Sequence, residues 1–239
     1  MANPPRGLLI TGTDTGVGKT FVTFGLAGAL RRRGLSVAPF KPVETGCSLD
    51  ESTQRLVPAD AEQLRQATQS KAPLDTICPY RFVPPVAPWV AAEQAGVTID
   101  PQRLELCYQE LAASHDIVLA ETAGGILVPL TGRFHYADLA QRLGLPVLVV
   151  IGSKLGAINH TRLTLEFIRS AGHSVIACVL NHPFEQTDPA TATNERTLRQ
   201  LTRLPLHVIP HQSAGAPPWD DPAFDALATE VAAQLASTK

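Results

Sequence analysis

The sequence predicts an α/β fold, a mostly parallel central sheet flanked by helices. Three observations predict it. Short apolar runs alternate with amphipathic stretches along the 239 residues, the pattern of a sheet wound with crossover helices. Most runs are apolar at consecutive positions, as strands covered on both faces should be. The first run also feeds a glycine-rich turn that opens directly into a helical stretch. That arrangement cradles phosphate with backbone N–H groups and a helix N-terminus.

The elements follow in order. Leu8-Leu9-Ile10-Thr11 reads as the first strand. The turn is Gly12-Thr13-Asp14-Thr15-Gly16-Val17-Gly18-Lys19-Thr20. Five residues separate Gly12 from Gly18, one more than in the common phosphate loop. Lys19 can reach terminal phosphates and the Thr20 hydroxyl can ligate Mg²⁺, so the fold reads as P-loop NTPase-like. A helix over 21–33 ends on Arg31-Arg32-Arg33, cations that complement its negative end. A strand over 36–40 delivers Lys41, and Pro42 fixes the exit of the chain. Beside a phosphate loop, a second lysine would neutralise charge that one cannot. Thr45 can bond a polar substrate or cap its own turn.

A helix over 59–67 carries Asp60 at its start, where the dipole favours an acid. The proline-rich stretch from Val83 to Pro88 reads as a rigid loop inside one domain. A helix over 101–114 leads to a strand over 117–121 that ends in Glu121, at the position of a Mg²⁺-facing carboxylate. Thr122-Ala123-Gly124-Gly125 then lets the backbone approach a ligand. A helix over 136–143, a strand over 147–151, a helix over 160–171 and a strand over 175–180 follow. Asn181, at that strand's end, is a turn former whose amide can also read an adenine edge. A helix over 191–201, a strand over 207–209 ahead of Pro210, an irregular loop over 211–221 and a helix over 222–235 complete the chain.

Composition narrows the function. With 44% hydrophobic and 18% charged residues the chain can bury a substantial core. A net charge of −2 gives no reason to expect nucleic acid or an anionic membrane as partner. The four cysteines form no Cys-x-x-Cys pair, and the seven histidines show no metal-ligand spacing. Residues 1–6 lack the shape of a signal peptide, and no apolar run is long enough to span a bilayer. The expectation is one cytoplasmic domain over 1–239.

Taken together, these motifs make the chain resemble the dethiobiotin synthetase family over nearly its whole length. The resemblance rests on residues 12–20, including the long loop, and on Lys41-Pro42-Val43 with Gly46. It also rests on Glu121 with Ala123-Gly124-Gly125, on Lys154-Leu155-Gly156-Ala157-Ile158-Asn159-His160, and on Asn181. It implies the conversion of 7,8-diaminononanoate, CO₂ and MgATP into dethiobiotin, ADP and phosphate. One amine traps CO₂ as a carbamate, the carbamate takes the γ-phosphoryl group, and the second amine closes the ring.

The resemblance also implies roles. Lys41 and Lys19 would be catalytic. ATP would lie against Gly16, Val17, Gly18, Lys19, Thr20, Phe21, Asp60, Glu121, Gly124, Asn181 and Pro210. The substrate would meet Thr13, Lys41 and Thr45, together with Asn159 from a neighbouring subunit of a homodimer. Mg²⁺ would be held by Thr20, Asp60 and Glu121. Thr122 stands where the family often has glycine, His182 where aspartate often follows the asparagine, and Thr45 where it has serine. Two other readings fit a phosphate loop: a partitioning-type switch ATPase and a cobyrinate-type amidation relative. The Thr13-Asp14-Thr15 segment lacks the extra early lysine of the first. The chain length leaves no room for the ammonia-producing domain that the second needs.

Overall fold

The computed structural model describes residues 7–185, 188–212 and 217–237. Part of the irregular loop over 211–221 therefore lies outside the described residues, as do residues 1–6. In chain order the elements are β1 (Gly7–Gly12), α1 (Lys19–Arg32), β2 (Val37–Phe40), β3 (Val43–Thr45), β4 (Ser48–Asp50), β5 (Arg55–Val57), α2 (Ala59–Thr68) and α3 (Leu74–Ile77). Next come β6 (Tyr80–Phe82), α4 (Pro88–Gln94), α5 (Pro101–Ser114), β7 (Ile117–Gly125), β8 (Pro129–Thr131), β9 (Phe134–His135) and α6 (Tyr136–Leu143). The last are β10 (Val147–Gly152), α7 (Ala157–Ser170), β11 (Val175–Asn181), α8 (Pro189–Leu201), β12 (Leu206–Ile209), a 3₁₀ turn (Pro218–Asp220) and α9 (Pro222–Ser237).

The central sheet has six strands in the order β12-β11-β10-β1-β7-β2, and every pairing in it is parallel. All six residues of β1 and of β10 are buried, as their unbroken apolar runs require when helices cover both faces. Two hydrophobic clusters divide the core by sheet face. One gathers Leu9, Phe40, Val149 and Leu180 under α5 and α6; the other gathers Leu8, Ile10, Val150 and Val179 under α1 and α9. Alternate residues of one strand thus feed opposite layers, as the period of a strand dictates. β1 lies between β7 and β10, with the chain leaving it first to one side and returning on the other. Such a reversal opens a crevice beyond the carboxyl ends of the strands.

The local chemistry accounts for several boundaries. Asp100 caps α5, accepting from the Gln102 N–H, and Pro101 occupies the first turn. Asp188 and Thr191 form a reciprocal cap on α8, which therefore begins at Pro189 rather than at the expected residue 191. α7 begins at Ala157, earlier than the expected 160, because Gly156 at φ 92° serves as its cap. Asn159 thus sits inside its first turn.

β7 also runs past Glu121 to Gly125, where a loop was expected. A register shift between Ile10 and Gly12 lets Gly125 pair with Gly12, and small residues there allow the two backbones to meet. The three two-stranded pairs β3-β6, β4-β5 and β8-β9, and the short α3 and α4, carry too few residues to show a periodicity in sequence. Among the described residues no helix is long and apolar enough to cross a membrane.

Candidate active site

The glycine-rich turn closes on the carboxyl end of β1. The Thr13 N–H donates to the Val150 carbonyl at 2.9 Å, tying the turn to β10. Gly18, at φ 89°, forms the N-cap of α1, and no side chain caps the helix start. The first-turn N–H groups of α1 thus open toward a cavity of about 580 Å³. Gly18 admits no side chain, because a Cβ there would collide with the amide of Asn181. Thr15, Gly16, Gly18, Lys19 and Thr20 line one wall, and Lys41, Thr45, Asp60 and Gly124 line others.

Lys41 is the centre of the polar network. It follows β2, and its ammonium is buried between two acids. It donates to Asp60 Oδ2 at 2.8 Å and to Glu121 Oε1 at 2.5 Å. Burial acts to lower its pKa, but the charges of Glu121 and Asp60 outweigh that and hold it above the ordinary lysine value, so the cation is kept. Glu121, on β7, has no exposed surface. Its Oε1 also accepts from the Thr20 hydroxyl at 2.8 Å, and its Oε2 accepts from Thr23 at 2.6 Å. A buried carboxylate needs such partners, since an unpaired charge is costly away from water. Lys19 is also buried, and its ammonium donates to the Asp14 carbonyl at 3.3 Å. Burial lowers its pKa, with Glu121 opposing and Lys41 reinforcing the shift.

Thr20, Asp60 and Glu121 offer only oxygen donors, and all three are joined by hydrogen bonds through Glu121 and Lys41. Two of the three, Asp60 and Glu121, already hold one cation, the Lys41 ammonium, and hard oxygens suit Mg²⁺. Among the described residues no group of three or more His, Cys, Asp or Glu is arranged to hold a metal by itself. Mg²⁺ bound through one or two carboxylates and ligand phosphates requires no such cage.

The remaining expected residues are not in the lining of this cavity. Glu121 sits behind it. Val17 is buried beneath the turn, and its carbonyl accepts from Asn181 Nδ2 at 3.0 Å. Asn181 Oδ1 is buried without a partner among the described residues, an acceptor suited to an amino group. Phe21 packs edge-on against Phe224 with ring centroids 5.8 Å apart. Asn159 and Pro210 are exposed.

Three features of the site escaped the sequence reading. Glu44 lines the cavity, and its carboxylate accepts from the N–H groups of Asp60 and Ala61, both at 2.9 Å. Burial pushes its carboxyl above the ordinary range, against those two N–H donors. The signal available was α2 itself, which starts at Pro58-Ala59 with no capping side chain of its own. Thr23 lies three residues after Thr20, hence on the same helix face. Asp14 pairs with Lys154 at 2.7 Å, linking the turn to the entry of α7. That hydrogen bond, aided by the Thr15 N–H, lowers the Asp14 pKa.

Comparison with known proteins gives this geometry a family. A profile described as an AAA domain matches residues 6–214. The ATP-dependent dethiobiotin synthetase BioD of Anaeromyxobacter dehalogenans strain 2CP-C is 45% identical over 206 residues, covering 86% of this chain and 90% of that protein. The synthetase of the same name from Aromatoleum aromaticum is 41% identical, covering 90% and 94%, and that of Aquifex aeolicus is 40% identical, covering 85% and 88%. Solved structures share the fold at low identity. The septum site-determining protein MinD of Pyrococcus horikoshii, complexed with Mg-ADP, superposes with a TM-score of 0.55 at 18% identity, covering 98% of this chain and 99% of that one. A putative plasmid partition protein of Borrelia burgdorferi, bound to AMPPNP, does so with a TM-score of 0.58 at 12% identity, covering 97% and 100%. The phosphate-loop fold is thus common to several kinds of ATPase, and it is the extended sequence identity that assigns this chain to the ATP-dependent dethiobiotin synthetases.

Proposed function

We propose that this chain makes dethiobiotin from 7,8-diaminononanoate, CO₂ and ATP. The observation that carries the reading is the buried Lys41 ammonium, held between Asp60 and Glu121 at the phosphate end of the cavity. The chemistry needs such a group. A carbamate is a poor electrophile, so its oxygen must first take a phosphoryl group, and that step brings two anions together. The N–H groups of the turn, with Lys19, bind the transferring phosphate. Lys41 lies where the carbamate oxygen and the phosphate would meet, and its charge offsets their repulsion. The mixed anhydride so formed is opened by the second amine, which closes the ureido ring and releases phosphate.

Thr20, Asp60 and Glu121 would hold Mg²⁺, which supplies charge neutralisation for the phosphates. Thr13 and Thr45 serve the diamine, and Thr45 offers it a hydroxyl. Asn181 Oδ1 serves the adenine amino group, and Pro210 borders the base. Asn159, exposed on α7, reaches the substrate of a second copy in a homodimer. The test is single-turnover phosphate release from MgATP, with and without the diamine and bicarbonate. Release is expected only when both are present, accompanied by dethiobiotin. Release indifferent to the diamine would overturn the reading.

A further inference from the structure

The Glu44 carboxylate has no part in the steps above, yet it is only 5% exposed and faces the same cavity as Lys41 and Asp60. Its two oxygens take separate donors, the N–H groups of Asp60 and Ala61. These belong to the first turn of α2, whose start has no side-chain cap of its own. Helix starts must place such donors somewhere, and here a strand residue places them. The frame behind Glu44 is fixed. β3 pairs with β6 with Glu44 opposite Arg81, and the Cys47 N–H donates to the Phe82 carbonyl at 2.9 Å.

The consequence falls on one residue. Asp60 is gripped twice by the segment 41–45, through its backbone N–H by Glu44 and through its side chain by Lys41. Either grip alone leaves a freedom. The ammonium fixes where the Asp60 carboxylate ends, and the Glu44 carboxylate fixes where its helix begins. We infer that Glu44 is a positioning residue: it clamps the start of α2 so that the Asp60 carboxylate is held at Lys41, facing the phosphate end of the cavity. This inference rests on the proposed role of Asp60 as a metal-binding acid.

The test is a double-mutant cycle on the full chain, with Glu44→Ala, Asp60→Asn and the two combined. The reading is ADP affinity by calorimetry, without metal and across a Mg²⁺ titration. Glu44→Ala is expected to raise the Mg²⁺ requirement about 10-fold, the scale on which supporting partners of metal ligands act. Metal-free ADP affinity should change by less than about twofold. In the Asp60→Asn background the same substitution should shift the Mg²⁺ requirement by less than about twofold, because groups that act through one another are not additive.

Glu44→Gln keeps one acceptor and should fall between Glu44→Ala and the parent; it carries the cycle if the alanine variant does not fold. Amide exchange at Asp60 and Ala61 should quicken in the Glu44 variants. Equal losses in both backgrounds, or unchanged exchange, would overturn the inference while sparing the role of Asp60. An Asp60→Asn variant with an unaltered Mg²⁺ requirement would instead remove that role, and the inference with it.

Discussion

Lys41 and Glu121 decide the site at the scale of single residues. Each is buried, and each supplies the opposite charge that the other needs there. Replacing Lys41 with alanine is therefore expected to act twice. Turnover should fall roughly 10²–10³-fold, the usual loss when one electrostatic stabiliser is removed, while ADP binding survives. Stability should also fall by about 3–5 kcal/mol, because Glu121 is left buried without its cation, read as a lower midpoint in urea. A variant with weakened ADP binding and intact turnover at saturating ATP would contradict the assigned role. Lys19, Thr20, Lys41 and Glu121 were legible in the sequence because each sits at a fixed offset from a strand end. Glu44 and Thr23 were not. Thr23 meets Glu121 across 98 positions, a pairing that no local pattern announces.

At the scale of elements, α1 shows packing overruling propensity. It carries Gly25 and Gly28 in its interior, where alanine would ordinarily gain about 1 kcal/mol. A Cβ at Gly25 would strike the ring of Phe224, and one at Gly28 the ring of Trp219. Overpacking of this kind costs about 1–3 kcal/mol, so Gly25→Ala and Gly28→Ala should each cancel that gain or destabilise the protein by up to about 2 kcal/mol net. Equilibrium urea unfolding reads this directly, and a stabilised variant would show that the facing ring, Phe224 on α9 or Trp219 in the 3₁₀ turn, yields freely. The long apolar strands of the central sheet and the longer helices were legible from periodicity. The expected strand ends at Glu121, ahead of a segment whose glycines let the backbone approach a ligand; a register shift against β1 keeps β7 paired through Gly125.

For the whole molecule, acid sensitivity follows from what is buried. Burial lowers the pKa of His173, His182 and His207. For His207, Glu230 opposes that shift and Arg199 adds to it, and its Nε2 is buried without a partner among the described residues. The unfolded chain, with histidine near about pH 6.5, then binds protons that the folded chain refuses. These histidines therefore withdraw stability as pH drops below that value. The thermal midpoint is expected to decline between about pH 7 and pH 5, and His207→Phe should shallow the decline; an unchanged slope would exonerate this residue. The proposed homodimer makes its own prediction. Mixing Lys41→Ala with Asn159→Ala chains should restore part of the lost activity, since one site of a mixed pair would be intact. Absence of rescue despite measured subunit exchange would argue against a shared site.

The sequence by itself determined the order of the central strands and the longer helices, the phosphate loop and the family. These depend on spacing along the chain, and spacing is written in it. Only the tertiary structure decided that one lysine ends between two acids, that Glu44 on a strand caps the helix carrying Asp60, and that two glycines of α1 admit aromatic rings. Those facts depend on which distant segments share a volume. Close packing, together with the need of every buried charge and N–H group for a partner, selects them after the elements have formed.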